Sequence, residues 1–168
     1  MIALKIGIIT ASDKGSRGER EDLSAKVIEE MMEAIGGRVA DYALVPDELP
    51  ILKRCLSEMA DAGLDIILTT GGTGLGPRDV TPDATLQVIE RQVPGIAEAM
   101  RMVSLEKTSR AVLSRAVAGT RGRTLIINLP GSPKAVRECL GVVLDALPHA
   151  IEVLKGDSED CARPDGQD

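Results

Sequence analysis

Short apolar runs alternate along this chain with longer stretches in which apolar positions return every third or fourth residue. The runs "LKIGIIT" (Leu4–Thr10), "RVADYALV" (Arg38–Val45), "LDIILTT" (Leu64–Thr70) and "RTLIINLP" (Arg123–Pro130) are short and β-rich, as buried strands are. Helical spacing marks three segments. Leu23, Val27, Met31 and Ile35 recur in Asp22–Ile35, and Leu52, Cys55, Leu56 and Met59 form a stripe in Glu48–Ala62. Val136, Cys139, Leu140, Val143, Leu144 and Leu147 form the clearest stripe, in Ser132–Leu147. Between Thr81 and Lys107 the pattern predicts a helix, a break at "VPG" and a second helix. "LSRAVAGTRGRTLIIN" reads as two strands joined by a turn near Gly122, which makes one edge of the sheet antiparallel. Strands alternating with helices predict an α/β domain around a mainly parallel sheet.

Composition narrows the classes. The 168 residues fit one domain, and 43% hydrophobic content with no long apolar run gives a folded chain without a membrane span. The opening "MIALKIGIIT" goes straight into a strand pattern and lacks the features of a signal peptide. Cys55, Cys139 and Cys161 are odd in number and widely spaced, which fits a reduced, cytoplasmic protein without a zinc site. The net charge of −6 is uneven: residues 156–168 carry five acids against Arg163, and this acidic tail is expected to be disordered. Arg101–Arg123 holds six basic residues against Glu106. Such a local stretch suits either a small phosphorylated ligand or a solvated surface, and a nucleic-acid partner is not expected from an acidic chain with Tyr42 as its one aromatic.

Ligands of open α/β sheets sit beyond the carboxyl ends of the strands, and four connections emerge there. After the first strand comes a long polar loop, "TASDKGSRGERED", with Ser12, Asp13, Gly15 and Ser16. Leu68–Thr85, "LTTGGTGLGPRDVTPDAT", packs four glycines and two prolines ahead of a helix whose N-cap and first residue read as Thr81 and Pro82. Gly71, Gly72, Thr73 and Gly74 there form a phosphate cradle, or else a flexible turn; no Walker lysine follows. In "VPDELP" the plainest role of Asp47 is a helix N-cap. Paired with Asp79 at the same sheet edge, it has a sharper one: Mg²⁺ takes one or two carboxylates plus substrate phosphates. Finally, "NLPGSPKAVREC" offers Pro130, Gly131, Ser132 as N-cap, Pro133 at the first helical position, and Lys134.

The motifs "TTGGTGLGPRDVTPDAT", "VPDE", "LSRAVAG", "NLPGSPKA" and "ASDKGSRGEREDLSA" resemble the MogA/MoaB family and the related G domain of gephyrin, over roughly residues 5–155. The resemblance implies a three-layer molybdopterin-binding fold with helices on both faces of the sheet, assembled as a homotrimer. It implies transfer of AMP from Mg·ATP to molybdopterin, with a separate molybdenum-insertion protein using the product. Its two functional aspartates match Asp47 and Asp79, as catalytic and Mg²⁺-holding residues. Gly71, Gly72, Thr73 and Gly74 then contact phosphates or nucleotide. Ser114, Arg115, Pro130, Gly131, Ser132 and Lys134 hold the pterin and its phosphate, joined by Ser12 and Asp13. The lone histidine, His149, is left a structural role. Two rivals stay open: a MoaB-type protein that binds molybdopterin without catalysis, and a hydrolase of nucleotide derivatives.

Overall fold

The computed structural model describes residues 3–157, so Cys161 and all of the expected tail except Gly156 and Asp157 lie outside the described residues. The apolar runs form strands β1 (Leu4–Ala11), β2 (Gly37–Val45), β3 (Ile66–Thr70) and β6 (Thr124–Leu129). Two short strands, β4 (Arg91–Gln92) and β5 (Ala118–Arg121), complete a sheet of order β2-β1-β3-β6-β5-β4. The β2, β1, β3 and β6 pairings are parallel, while β5 and β4 are antiparallel. The helices are α1 (Asp13–Ser16), α2 (Leu23–Glu33), α3 (Leu49–Asp61), α4 (Thr81–Leu86), α5 (Pro94–Leu105), α6 (Pro133–Val143) and α7 (Leu147–Lys155).

Side chains alternate across the sheet and fill two cores. Ile6, Ile8, Ile66, Leu68, Leu125 and Ile127 pack against α2, α5, α6 and α7; Ile9, Ile67 and Ile126 face α3 and α4. This is the three-layer arrangement that continuous apolar runs require, since both faces of such strands must be covered. Among the described residues no helix is long and apolar enough to cross a membrane.

Several local expectations are corrected. The stripe expected of α2 begins with Leu23, which is 50% exposed; the buried face is Ala25, Ile28, Met31 and Met32. A strict four-residue spacing drifts around a helix of 3.6 residues per turn, so only mixed three- and four-residue steps stay on one face. The last helix does not run through to Leu147. It gives way to a 3₁₀ turn at Leu144–Ala146 before α7, where Pro148 can neither donate a backbone bond nor tolerate the preceding carbonyl. Strand β4 is too short to carry a periodic signal, and pairing with β5 makes it. His149 lies exposed on α7 beside Glu152.

Position follows from topology. From β1 the chain moves outward to β2, then returns to place β3 on β1's other side. The β1/β3 boundary is therefore a switch point, where connections diverge and leave a crevice. The polar loop after β1 and the glycine loop after β3 open at that boundary.

Candidate active site

The ends of β1, β3 and β6 are pressed together. Thr70 donates from its hydroxyl to Pro130 O at 2.7 Å, Gly71 N–H to Leu129 O at 3.2 Å, and Ser24 Oγ to Gly131 O at 2.9 Å. Gly71 has φ +93°, and a Cβ on it would overlap the Ala11 carbonyl; a Cβ on Gly131 would stand 3.4 Å from Gly71 Cα. Glycine is required at Gly71 by both conformation and space. The amides of Gly72, Thr73 and Gly74 donate no hydrogen bond among the described residues and stay free for an anion.

The remaining glycines make room for carboxylates. A Cβ on Gly74 or Gly76 would stand 2.9 or 2.7 Å from Asp79 Oδ2, which accepts from Gly76 N–H at 2.9 Å. Asp47 does not cap α3, whose N-cap is Glu48 with no side-chain bond. It faces Asp13 instead. Asp47 Oδ2 accepts from Asp13 N–H and Asp13 Oδ1 accepts from Asp47 N–H, both at 3.0 Å. Arg78 grips the same Asp13 carboxylate with two bonds of 3.0 and 2.9 Å. The loops after β1, β2 and β3 are thus tied around Asp47.

Electrostatics sorts these carboxylates. The Arg78 guanidinium holds Asp13 below the usual carboxylate range, with the Asp47 amide adding to it. Burial pushes the Asp47 carboxyl up; the Asp13 amide opposes this, while the charges of Asp13 and Asp79 reinforce it. A carboxylate that is costly to keep charged, next to another, is poised to accept a cation.

Arg115, which the resemblance assigns to the pterin and its phosphate, is engaged by the protein itself. Its guanidinium bonds Gly74 O at 2.9 Å, Asp79 O at 2.7 Å and both oxygens of Asp83, while its amide donates to Thr73 O at 2.8 Å. It clamps the glycine loop to α4. Other cations of the basic stretch are likewise engaged by the protein: Arg101 by the carbonyls of Ser114 and Ala116, Lys107 by Glu138, Arg121 by Asp61. Arg110 lines a cleft.

Two clefts flank the ridge made by Gly71–Gly74 and Pro130–Gly131. The larger, about 310 Å³, is lined by Thr73, Gly74, Ser114 and Pro130 with Met100 and Arg101. The smaller, about 180 Å³, is lined by Ser12, Gly71, Gly131, Thr10 and Asp22. Asp47 and Asp79 line neither and stand on the glycine turn between loops. Ser132 caps α6 by accepting from Ala135 N–H at 3.1 Å, and Lys134 is exposed in its first turn. Ser12 also caps, accepting from Gly15 N–H at 2.9 Å.

Sequence reasoning passed over Asn128 and Tyr42. Asn128 is fully buried; it donates to the hydroxyls of Thr69 and Thr85 at 3.0 and 2.9 Å and accepts from Val117 N–H at 3.2 Å. An asparagine inside the apolar run "LIINLP" was the available signal. Tyr42 donates to Asp22 at the rim of the smaller cleft. Burial, reinforced by the Asp22 carboxylate, pushes its phenol up to about 12. Because it is the only Tyr, Trp or Phe, tyrosinate absorbance should follow its titration alone, with a midpoint near that raised value and lowered in Asp22→Asn. A raised phenol stabilises the fold below the unfolded value of about 10, and that contribution is lost as pH rises through the folded one. A midpoint near 10 in the folded protein would refute the assignment.

Comparison with known proteins agrees with this geometry. Residues 7–149 match the family model described as "Probable molybdopterin binding domain". The molybdopterin adenylyltransferase of Helicobacter pylori J99 is 43% identical over 93% of this chain and 90% of its own length. That of Escherichia coli K12 is 39% identical over 93% and 88%. The structure of the molybdopterin biosynthesis enzyme MoaB from Thermus thermophilus superposes with a TM-score of 0.86 at 56% identity, covering 91% of this chain and 97% of that one. With its three-layer fold and its glycine turn between two aspartates, the chain belongs to the family of molybdopterin-binding domains of molybdenum cofactor biosynthesis.

Proposed function

We propose that this chain transfers AMP from Mg·ATP to molybdopterin, giving adenylyl-molybdopterin and pyrophosphate. One observation carries the reading. Asp47 and Asp79 flank a single glycine turn, each with one oxygen held by a backbone amide and the other without a hydrogen bond among the described residues. Those two hard oxygens fit Mg²⁺, and no larger acidic or histidine cluster occurs among the described residues, so Asp47 and Asp79 would hold the ion together with substrate phosphates. When bound, the ion neutralises phosphate oxygens as charge shifts to the leaving group.

The chain's own residues do the rest. The free amides of Gly72, Thr73 and Gly74 receive phosphate oxygens, and Arg115 keeps their loop fixed. The terminal phosphate of molybdopterin forms a P–O bond to the α-phosphorus. The bond to the bridging oxygen breaks, and pyrophosphate leaves with the electron pair. No strong base is needed, because the attacking phosphate is already anionic. Two clefts meeting at one ridge suit two substrates, with Ser114 and Pro130 lining one and Ser12 and Gly131 the other.

The assembly is a cytoplasmic homotrimer that passes its product to a molybdenum-insertion protein. Met102, Leu105, Val112 and Leu113, exposed on α5 and the following 3₁₀ turn, supply an apolar face for association. A second reading is a MoaB-type protein that binds molybdopterin without turning over ATP. The test is direct. ATP, Mg²⁺ and molybdopterin should yield pyrophosphate and adenylyl-molybdopterin in equal amounts, and EDTA should stop the reaction. Pterin binding without pyrophosphate release would overturn the transferase reading in favour of the second.

A further inference from the structure

Thr81 is fully buried, yet its hydroxyl has no hydrogen-bond partner among the described residues. Nor does it cap α4 as the sequence predicts: Val80 is the N-cap, without a side-chain bond, and Pro82 follows Thr81 inside the first turn. Thr85, one turn along the same helix, shows the usual case. Its hydroxyl donates to Thr81 O at 2.9 Å and accepts from Asn128 at 2.9 Å. The other bare buried hydroxyl among the described residues, on Thr10, has the Tyr42 phenol beside it. A valine would fill the place of Thr81 with nearly the same shape and no unpaired oxygen, so the hydroxyl costs the ligand-free fold something.

Its direction suggests why. A Cβ on Gly72 would stand 2.5 Å from Thr81 Oγ1 and 3.1 Å from Asp47 Oδ1, so the two oxygens converge on one flank of Gly72. Asp47 Oδ1 is the oxygen not held by Asp13. Gly72, at φ +67°, accepts the Thr81 N–H at 3.2 Å, which couples the glycine turn to the residue bearing the hydroxyl.

We infer that Thr81 is a positioning residue whose hydroxyl donates to Asp47 Oδ1 once nucleotide phosphates settle on the glycine turn, fixing that carboxylate toward Mg²⁺. This rests on the reading of Asp47 given above. Thr81 is enclosed and touches no substrate; it acts through Asp47. The bond would be charge-assisted and formed only in the loaded state. The bare hydroxyl in the free protein is then the unloaded half of a two-state contact.

The experiment compares Thr81→Val, Thr81→Ser and Asp47→Asn with the wild type. It reads the ligand-free thermal midpoint, Mg²⁺-dependent binding of α,β-methylene-ATP, and the Mg²⁺ dependence of pyrophosphate release. Thr81→Val is expected to melt at or above the wild-type temperature without ligand. It should weaken Mg²⁺-supported binding and raise the Mg²⁺ concentration for half-maximal rate about tenfold, the scale of losing a group that orients a metal ligand. Thr81→Ser should keep wild-type Mg²⁺ dependence. Wild-type behaviour of Thr81→Val, or equal impairment in Thr81→Ser, overturns the inference. So does a Thr81→Val that is destabilised or unfolded without ligand while Thr81→Ser is not, because the hydroxyl then has its partner in the free protein. An Asp47→Asn variant with unchanged Mg²⁺ dependence would instead bring down the reading of Asp47 beneath it.

Discussion

Asp79→Ala is expected to lower pyrophosphate release from Mg·ATP and molybdopterin by at least about a hundredfold while leaving the protein folded. The carboxylate fills the space that Gly74 and Gly76 leave by lacking Cβ atoms, and its exposed bond to Gly76 N–H shapes the loop only locally. Its removal should therefore move stability by no more than about 1 kcal/mol. Asp79→Asn separates two effects, since an amide oxygen can still accept from Gly76 while the charge is gone. Equal losses in the two variants would place the function in the charge. A normal rate in Asp79→Asn would reduce Asp79 to a loop brace and remove the main support for a two-carboxylate metal site.

The second large effect concerns stability. Asn128→Ala should cost about 3 kcal/mol, because it strands the Val117 amide and the Thr69 hydroxyl in a fully buried place and takes one of the two bonds of the Thr85 hydroxyl. In a chain of this size that corresponds to a fall of roughly 10 °C in the thermal midpoint. The consequence should reach the site as well. Asn128 joins β3, β6 and α4 to the Val117 strand entry, and Arg115 lies two residues before Val117, clamped on the glycine loop. A shift of only a degree or two would mean that the network relaxes around its loss, and Asn128 would not be what holds the site together.

Much of the site was legible because chemistry in this family is written in local motifs. Gly71 needs a left-handed backbone with a carbonyl beside it, so only glycine serves, and a dense Gly/Pro connection advertises that need. What the glycines make room for was less legible. The pattern by itself fits a phosphate cradle or a flexible turn, whereas in the structure Gly72, Gly74 and Gly76 border the chain's own carboxylates. The expected caps at Asp47 and Thr81 failed for a common reason. A capping residue type before a helix satisfies the local rule, but here the side chains are turned toward other loops. The aspartate finds its partner 34 residues earlier, at Asp13.

The sequence by itself determined the layers. Continuous apolar runs alternating with helical stripes leave little choice but a mostly parallel sheet covered on both faces, because a strand apolar on both sides must be buried on both. It also marked the candidate loops, since a dense glycine cluster has little use inside a strand or a helix. Only the tertiary structure decided what each side chain does there. It turned Arg115 into a clamp, set Asp47 against Asp13, placed Asn128 at a junction of four segments, and left the Thr81 hydroxyl without a partner. These are contacts between residues far apart in the chain, fixed by how three strand ends converge at the switch between β1 and β3. No local pattern encodes that convergence.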